Sequence, residues 1–396
     1  MVDSRPYRRD TITLFLLATT AMHRSVFHSM GAVMPALRKD LGISATLTNA
    51  HVSAIALGMM AMGLVADRVA ARVGRRPAVW LGMAGIVLGM VLLALAPVVW
   101  LTLPIALLFI GALGSLVLAL TPAALSDHQG EHRAVALSES SLVSSIIGGI
   151  VPATVGLSQR LGFGWGGATI VPVAILGAMA AKFRSTPVPD TVPHPDQPQS
   201  TQPLTRGFWA FWLTLVFTDS FEFGLIFGAA VLLEFRGMSQ AGAATALSLL
   251  FWGMIVGRFA GTRLVRRVSP LRLLRFTFAL AAIGTVAHWL SPVLILSIIG
   301  LFLAGIGISN LYPLTTSIGL QAAEFNSSAA GSRLSLASGI SMLVAPLLFG
   351  VLTDLADIRV AFAVEPIFLL LAVGAAAYGA RWLTRPAPVS VEAFAT

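Results

Sequence analysis

The stretch from Gly63 to Pro77 reads Gly-Leu-Val-Ala-Asp-Arg-Val-Ala-Ala-Arg-Val-Gly-Arg-Arg-Pro, and it closes one apolar segment and opens another. A similar stretch from Gly257 to Pro270 reads Gly-Arg-Phe-Ala-Gly-Thr-Arg-Leu-Val-Arg-Arg-Val-Ser-Pro, at an offset of 194 residues (257 minus 63). The second copy has a glycine where the first has Asp67. Because similarity at a fixed offset is the signature of an internal repeat, the sequence predicts two similar halves.

The composition is that of a membrane protein. Hydrophobic residues make up 56% of the chain and charged residues 11%, whereas an ordinary soluble domain is about 25% charged. Apolar runs of about 20 residues recur, each long enough to cross a hydrocarbon core as a helix. They lack the alternating polarity of outer-membrane strands. We expect the first run to be a retained helix, because it is too long for a signal peptide. The absence of cysteine excludes disulfides and thiolate metal sites.

Twelve apolar segments predict an all-α integral membrane protein with twelve transmembrane helices in two pseudo-symmetric six-helix bundles. The segments lie at about 11–37, 45–67, 78–98, 101–125, 134–157, 163–182, 207–233, 240–262, 272–290, 293–320, 331–353 and 360–382. Residues 183–206 are rich in Pro, Thr and Gln and predict a cytoplasmic linker. This linker divides the chain into an N-terminal bundle at 1–182 and a C-terminal bundle at 207–396.

The distribution of positive charge indicates the topology. An even number of spans puts both termini on one face, and the termini with the loops after even-numbered spans hold 19 of the 26 Lys and Arg residues. The positive-inside rule makes that face cytoplasmic, which predicts an inner-membrane protein with both termini in the cytoplasm. The net charge of +9 therefore needs no nucleic-acid partner. Arg24 and Arg258 lie within spans.

The two six-helix halves, the middle linker and the motif Gly63-x-x-x-Asp67-Arg68, followed by Gly74-Arg-Arg, resemble the major facilitator superfamily of secondary transporters. The resemblance covers the whole chain, although Gly-Arg-Arg falls about one turn later than in the compact form of the motif. It implies a central cavity that opens alternately to each side, lined by helices one, four, seven and ten. Independently, spans one, five, seven and ten are the polar ones. Spans three, six, nine and twelve are nearly apolar and are expected to face lipid.

The middle of the first span carries His23, Arg24, Phe27 and His28. A spacing of four puts Arg24 and His28 on one helix face, and His23 with Phe27 on the next. Because arginine stays protonated, a buried Arg24 requires an anion, an acidic partner or water. We hypothesise that these residues bind an anionic substrate. The alternative is a permanent ion pair of Arg24 with an acid of the fifth or seventh span.

Asp219 and Glu222 lie three residues apart in the seventh span, and hence on one helix face. The repeat offset lays Arg24 on Thr218, so the acidic pair is expected opposite Arg24 in the second half. A carboxyl group whose surroundings alternate can bind and release a proton. We hypothesise that Asp219, Glu222 or both couple transport to protons, with Glu139 of the fifth span as a third candidate. Pairing between helices is the alternative.

The eighth and tenth spans offer further groups for a ligand. Asn310 and Tyr312 can form hydrogen bonds with a polar solute, and Trp252 can stack on it. We expect these three residues to extend the substrate site. For Trp252, helix packing or anchoring against lipid is the alternative.

The resemblance assigns gating to the basic loop. It implies that Asp67 contacts the start of the eleventh helix when the cavity opens outward, because a helix N-terminus attracts negative charge. Anchoring by positive charge is the alternative for the arginines. The remaining candidate gate residues are Gly63, Arg68, Arg72, Arg75 and Arg76.

Motifs for enzymatic chemistry are absent from the sequence. There is no Gly-x-x-x-x-Gly-Lys-Ser/Thr phosphate loop, so ATP is not the expected energy source and no cofactor is predicted. Residues 127–132 contain two histidines and two acids, but Gly130 interrupts the helical spacing that a metal site requires. We expect a solvated loop there, no metal site and no enzymatic activity.

The sequence therefore predicts a secondary transporter that moves a small polar, anionic organic solute by alternating access. It is expected to be proton-coupled, as a symporter or an antiporter, and to function as a monomer. Its expected partners are the substrate, protons and the lipid bilayer. A proton-driven multidrug efflux antiporter is the alternative, because plentiful aromatic and Met residues suit loosely specific apolar ligands.

Overall fold

The computed structural model describes residues 7–188, 203–265, 267–323 and 327–383. This part of the chain contains no strand and is almost entirely helical, with twelve long helices. The helices are α1 (Thr11–Leu41), α2 (Ala45–Gly63), α3 (Arg75–Leu95), α4 (Val99–Gln129), α5 (Arg133–Arg160), α6 (Gly166–Phe183), α7 (Arg206–Phe235), α8 (Gln240–Leu264), α9 (Pro270–Leu290), α10 (Leu294–Ala322), α11 (Ser327–Leu355) and α12 (Ile358–Ala380). Six precede the predicted linker and six follow it. Most of that linker lies outside the described residues.

The number and length of the helices confirm the predicted fold class. Within the described residues, eleven helices are long and apolar enough to cross a membrane. The first helix, α1, is not among them, because His23, Arg24 and His28 lower the hydropathy of its middle. It has 31 residues and packs among the other helices, which gives twelve crossing helices in total. The helix bounds differ from the predicted spans by a few residues, since polar caps continue several helices beyond their apolar segments.

Short polar side chains determine where several helices begin. Asp10 accepts a hydrogen bond from the backbone N–H of Thr13 at the start of α1, at 2.9 Å. Ser44, Thr205 and Ser239 cap α2, α7 and α8 in the same way. Such caps satisfy backbone N–H groups that have no partner inside the helix. The caps therefore fix the ends of helices whose apolar faces bury them in the bundle.

The two halves meet along four helix pairs. Across the interface, α1 packs against α7 and α8, α2 against α11 and α5 against α8. Glycines allow close approach: a Cβ on Gly31 of α1 would collide with the carbonyl oxygen of Ile226 on α7. The four apolar helices α3, α6, α9 and α12 make their main contacts within their own halves. This arrangement agrees with their predicted position on the outside of the bundles.

The two faces of the helical bundle differ in how tightly the halves close. We call the face that carries Tyr7 and Leu383 the terminal face, and the opposite one the distal face. At the distal face, Asp354 at the end of α11 accepts hydrogen bonds from the backbone N–H groups of Ala45, at 2.8 Å, and Thr46, at 2.7 Å. Arg38 lies 3.8 Å from the same carboxylate. The distal ends of α2 and α11 are therefore joined.

Toward the terminal face, the contact of this helix pair continues to Met60 of α2 and Gly339 of α11, where an added Cβ would stand 3.1 Å from the Met60 side chain. At Gly63, at the end of α2, and at Gly331, near the start of α11, an added Cβ would meet no described atom within 4 Å apart from the adjoining residues and the local helix backbone. Leu64 is 84% exposed. The structure is thus closed at the distal face and open at the terminal face.

The contact of Asp354 with α2 predicts a shift of this equilibrium on substitution. Asp354→Asn removes the negative charge and one of the two acceptors, and charge-assisted hydrogen bonds contribute about 1.5–3 kcal/mol each. We expect the state open at the distal face to gain population by about ten- to 150-fold. Because the chain lacks cysteine, spin labels at Leu64→Cys and Gly331→Cys report the opening of the terminal face without background.

The matched control is Asp357→Asn. Asp357 caps a helix start within one half, by accepting from the backbone N–H of Val360 at 2.9 Å. We expect the label distances of this variant to match those of the parent, whereas those of Asp354→Asn shorten. Identical distances in Asp354→Asn and the parent would contradict a latch at the distal face.

Candidate functional site

Three charged side chains from three helices, one in the first half and two in the second, lie within electrostatic range of one another. Arg24 of α1 and Arg258 of α8 both lie within electrostatic range of Glu222 on α7. The Arg258 guanidinium donates a hydrogen bond to the hydroxyl of Ser145 on α5, at 2.8 Å. This bond crosses from the second half to the first. The structure therefore brings the predicted Arg24 and Glu222 together and adds Arg258, which was not assigned a role from the sequence.

The charges in this cluster are close but not directly paired. Among the described residues, neither Arg24 nor Glu222 has an ion-pair partner within 4.0 Å or a hydrogen-bond partner. Both side chains are half-buried. The direct ion pair considered for Arg24 is not formed in this state.

The aromatic residues of α1 divide between two environments. His23 is buried and stacks on Phe27, with ring centroids 6.3 Å apart. His28 faces the second half, where its ring stacks on Phe251 of α8 at 4.6 Å. The Nδ1 atom of His28 is buried and has no hydrogen-bond partner among the described residues. His28 therefore lies at the edge of the charged cluster, whereas His23 and Phe27 are buried and stack on each other.

The two acids of α7 have different partners. Asp219 is buried and accepts a very short hydrogen bond from the hydroxyl of Ser338 on α11. Glu222 faces the two arginines. Since positions three residues apart on a helix differ by about 60° in direction, the rotation of α7 turns one acid into its own half and the other toward the interface. The carboxyl groups remain within electrostatic range of each other.

The two predicted polar residues of α10, Asn310 and Tyr312, lie in different surroundings. Tyr312 is 45% exposed and lies within electrostatic range of Arg24, Asp219 and Glu222. Asn310 instead donates a hydrogen bond to the backbone carbonyl of Gly257 on α8, at 2.8 Å. This bond joins two helices of the second half. The structure therefore places Tyr312 beside the charged cluster and Asn310 in a helix contact.

Trp252 lies away from the charged cluster. Its ring packs over Gly149 of α5, where an added Cβ would come within 2.9 Å of the indole. Along α8 it points about 120° away from Arg258. This position corresponds to the packing alternative considered from the sequence.

Glu139 lies at the terminal face, where the N-terminal segment covers it. Its carboxylate accepts a hydrogen bond from the Tyr7 hydroxyl and forms an ion pair with Arg9, both at 2.5 Å. Burial and the neighbouring Glu139 raise the pKa of Tyr7 to about 12, so the phenol stays protonated and donates. Glu139 is thus engaged by residues more than a hundred positions away, apart from the acids of α7.

The basic loop forms a short helix, Ala66–Val73, at the terminal face. Asp67 is exposed and makes no hydrogen bond or ion pair with the described residues. Arg75 is buried and pairs with Asp127 at the end of α4, at 2.8 Å. Gly74 between them has φ 90°, a conformation that favours glycine. Arg68 and Arg72 are exposed at the same face, and Arg76 is half-buried beside the loop.

Arg258, which was given no role from the sequence, could have been selected by the same rule as Arg24. Arg258 lies in an apolar span, and the rule applied to Arg24 applies equally to it: an ionisable side chain at bilayer depth needs a partner or water. Its partner Ser145 lies 113 positions earlier in the chain. That distance in sequence explains why the pairing itself was not predicted.

Comparisons with known proteins agree with this architecture. The family model of the Major Facilitator Superfamily matches residues 13–333 and 217–395. An uncharacterized MFS-type transporter of Yersinia pestis is 26% identical over 355 residues, covering 87% of this chain and 89% of that protein.

Solved structures of transporters share the fold. A bacterial homolog of the human lysosomal transporter Spinster, in an inward-facing and occupied conformation, has a TM-score of 0.73 at 16% identity and covers 97% of this chain and 100% of that one. The nucleoside transporter NupG has a TM-score of 0.70 at 13% identity, over 95% and 100% of the two chains. The peptide transporter POT in complex with sulfate has a TM-score of 0.69 at 15% identity, over 94% and 96%. By its family model, its curated relative and its fold, this chain is a membrane transporter that belongs to the Major Facilitator Superfamily.

Proposed function

We propose that this transporter moves a small anionic organic solute across the inner membrane by alternating access, coupled to protons. The observation that carries the proposal is the cluster of Arg24, Arg258 and Glu222, in which two guanidinium groups from opposite halves lie within electrostatic range of one carboxylate. Two cations and one anion leave a net positive charge. Because an unpaired charge in a low-dielectric site is costly, an anion is the ligand that best completes this cluster.

The closed distal face and the open terminal face support alternating access. The two halves meet around the cluster, so rocking them exposes it to one side at a time. Most arginines lie at the terminal face, and the positive-inside rule assigns that face to the cytoplasm. On this assignment the structure represents the cytoplasm-open state, with both termini in the cytoplasm.

Glu222 and Asp219 are the proposed proton carriers. A carboxyl group that alternates between water and a closed cavity changes its proton affinity with each transition, and Glu222 lies where the two halves separate. Asp219 is bonded to Ser338 of α11 within its own half and lies within electrostatic range of Glu222. Glu139 is the third candidate. At the terminal face its carboxylate accepts a hydrogen bond from Tyr7 and forms an ion pair with Arg9.

Ligand binding to the purified protein tests the substrate class. We expect small carboxylates and sulfonates to raise the thermal unfolding temperature, and cationic dyes to have no effect, because Arg24 and Arg258 repel cations. Arg24→Gln should weaken anion binding by about thirtyfold or more, since truncating one partner of a buried charge pair costs about 2–5 kcal/mol. Stabilisation by lipophilic cations that persists in Arg24→Gln would instead favour a multidrug exporter.

Transport in proteoliposomes tests proton coupling. We expect an imposed pH gradient to drive accumulation of the anion in the parent protein. Glu222→Gln should abolish this accumulation but retain exchange of labelled for unlabelled anion, because exchange needs no net proton movement. Unchanged accumulation in Glu222→Gln would remove this residue from the coupling mechanism, and Asp219→Asn serves as the parallel variant for the second acid.

Asp67 is the proposed latch of the cytoplasmic gate in the opposite state. In the present state it is exposed, so its loss leaves the cytoplasm-open state and its binding site intact. We expect Asp67→Asn to lower the transport rate about fivefold or more, given typical coupling energies of about 1–3 kcal/mol. Anion binding measured by thermal shift should stay within about twofold of the parent. Equal loss of binding and transport would contradict a gating role.

A further inference from the structure

A groove lies on the outside of the first half, between the start of α3 and the end of α6. Its volume is about 360 Å³, within the range of about 300–1,000 Å³ that small-molecule sites occupy. The residues that line it are Arg76, Pro77, Trp80, Ala180 and Arg184. We propose that this groove binds the phosphate group of an anionic phospholipid. Such a lipid site is independent of the proposed function, because it lies apart from the interface between the halves.

The two arginines of the groove lack a counter-charge within the described part of the chain. Neither Arg76 nor Arg184 has a carboxylate within 4.0 Å or a hydrogen-bond partner among the described residues. The Nε atom of Arg76 is buried. Asp127, at the end of α4, is paired with Arg75 instead, at 2.8 Å. Because a guanidinium group matches phosphate oxygens with two parallel N–H donors, a phosphate group supplies the missing counter-charge.

The start of α3 adds further donors and positive potential. Arg76 is the second residue of this helix, and no side chain caps the first backbone N–H groups. The N-terminal end of a helix attracts phosphate groups through these N–H groups and its dipole. The indole N–H of Trp80, about one turn further along, has no acceptor among the described residues. The groove therefore combines two charged side-chain donors with one neutral donor.

Packing in the core holds the walls of the groove in place. Phe15 of α1 is fully buried, and its ring contacts both Trp80, with centroids 5.6 Å apart, and Phe183, at 5.7 Å. Phe183 directly precedes Arg184. Trp80 is partly exposed, as is usual for tryptophan at the boundary between membrane and water. Both helix ends are thus packed against the same aromatic side chain, so the groove is formed before a ligand binds.

The surroundings of the groove favour a phospholipid over a soluble phosphate. Pro77, Leu81 and Leu88 follow one face of α3 at spacings of four and seven, and both leucines are 47% exposed. On α6, Val173 is exposed two turns before Ala180. These apolar faces continue from the arginines along the membrane-spanning parts of both helices, where acyl chains lie. On the topology proposed above, the groove faces the cytoplasmic leaflet, where basic pockets between spans bind anionic head groups.

The second half lacks both charges at the corresponding place. The repeat offset of 194 residues (257 minus 63) lays Arg76 on Pro270 and Arg184 on Tyr378. Pro270 begins α9, and Tyr378 lies in the last turn of α12. The two halves therefore differ in this feature, and the lipid site is expected in the first half.

Lipid binding to the purified, full-length protein in detergent tests the site by native mass spectrometry. The probes are phosphatidylglycerol, which is anionic, and phosphatidylcholine, which carries the same phosphate but no net charge. We expect phosphatidylglycerol to bind about fivefold or more tightly than phosphatidylcholine. Arg184→Gln should weaken its binding about fivefold, and Arg76→Gln/Arg184→Gln about thirtyfold, because each arginine at a lipid surface contributes about that factor. Arg184 is exposed beyond the end of α6, so Arg184→Gln leaves the helix packing intact.

The matched control is Arg272→Gln/Arg275→Gln, which removes the same charge from exposed positions near the start of α9. We expect this double variant to bind phosphatidylglycerol within about twofold of the parent. Equal weakening in the two double variants would overturn the groove as the site, because net charge alone would then explain the binding. Equal affinity of the parent for the two lipids would overturn the preference for an anionic head group.

Photo-crosslinking locates the lipid within a membrane. Because the chain lacks cysteine, a benzophenone maleimide labels only Ala180→Cys in the groove or, as the control, Gly374→Cys, which lies 194 residues later (374 minus 180) on α12. In nanodiscs with equal amounts of the two lipids, the ratio of phosphatidylglycerol to phosphatidylcholine adducts should be about fivefold or more higher at Ala180→Cys. Equal ratios at the two positions would overturn the site.

Excess glycerol 3-phosphate distinguishes a lipid from a soluble phosphate ester. It carries the phosphate group without acyl chains, so we expect the lipid adducts at Ala180→Cys to remain unchanged in its presence. Loss of these adducts would assign the groove to a soluble phosphate ester and overturn the lipid site.

Discussion

A charged side chain at the depth of a lipid bilayer requires a counter-charge or water, and this requirement determines where the polar residues of this transporter lie. Arg75 is paired with Asp127, Glu139 with Arg9, and Asp354 with the first N–H groups of α2. These contacts lie at the ends of helices. Arg24, Arg258 and Glu222 lie deeper, between the halves, without an ion pair among the described residues. On the proposed function, a path for solute and water between the halves meets the requirement there.

The helix pair α2 and α11 carries an acid at each end of its contact. At the distal face, Asp354 of α11 binds the N-terminus of α2. At the terminal face, Asp67, just beyond the end of α2, is exposed on the same side as the start of α11 and makes no ion pair or hydrogen bond with the described residues. A helix N-terminus attracts a carboxylate through its unsatisfied N–H groups and its dipole. The two acids thus lie at opposite ends of the contact between α2 and α11. Among the described residues, Asp354 bonds to the partner helix and Asp67 does not.

Much of the fold could be predicted from the sequence, because each apolar segment is long enough to specify a helix by itself and the repeat of the basic loop relates the two halves. The candidate site was predicted only in part. The rule for ionisable residues in apolar spans selected Arg24, Asp219 and Glu222, but the rotation of α7 that separates the two acids depends on packing against α11. Asn310 donates its hydrogen bond to a backbone carbonyl of α8, because Gly257 lets the two helices approach closely. Such contacts depend on tertiary structure, which spacing along one helix does not encode.

The bond between Arg258 and Ser145 links the geometry of the site to the relative position of the two halves. One arm of the site is an arginine from the second half whose orientation is held by a serine of the first. When the halves tilt, this hydrogen bond must stretch or be exchanged, and the guanidinium changes direction with it. On the proposed function, the strength with which this site holds its ligand then depends on which face is open. On that proposal, the transporter senses its own conformation at the place where it holds its cargo.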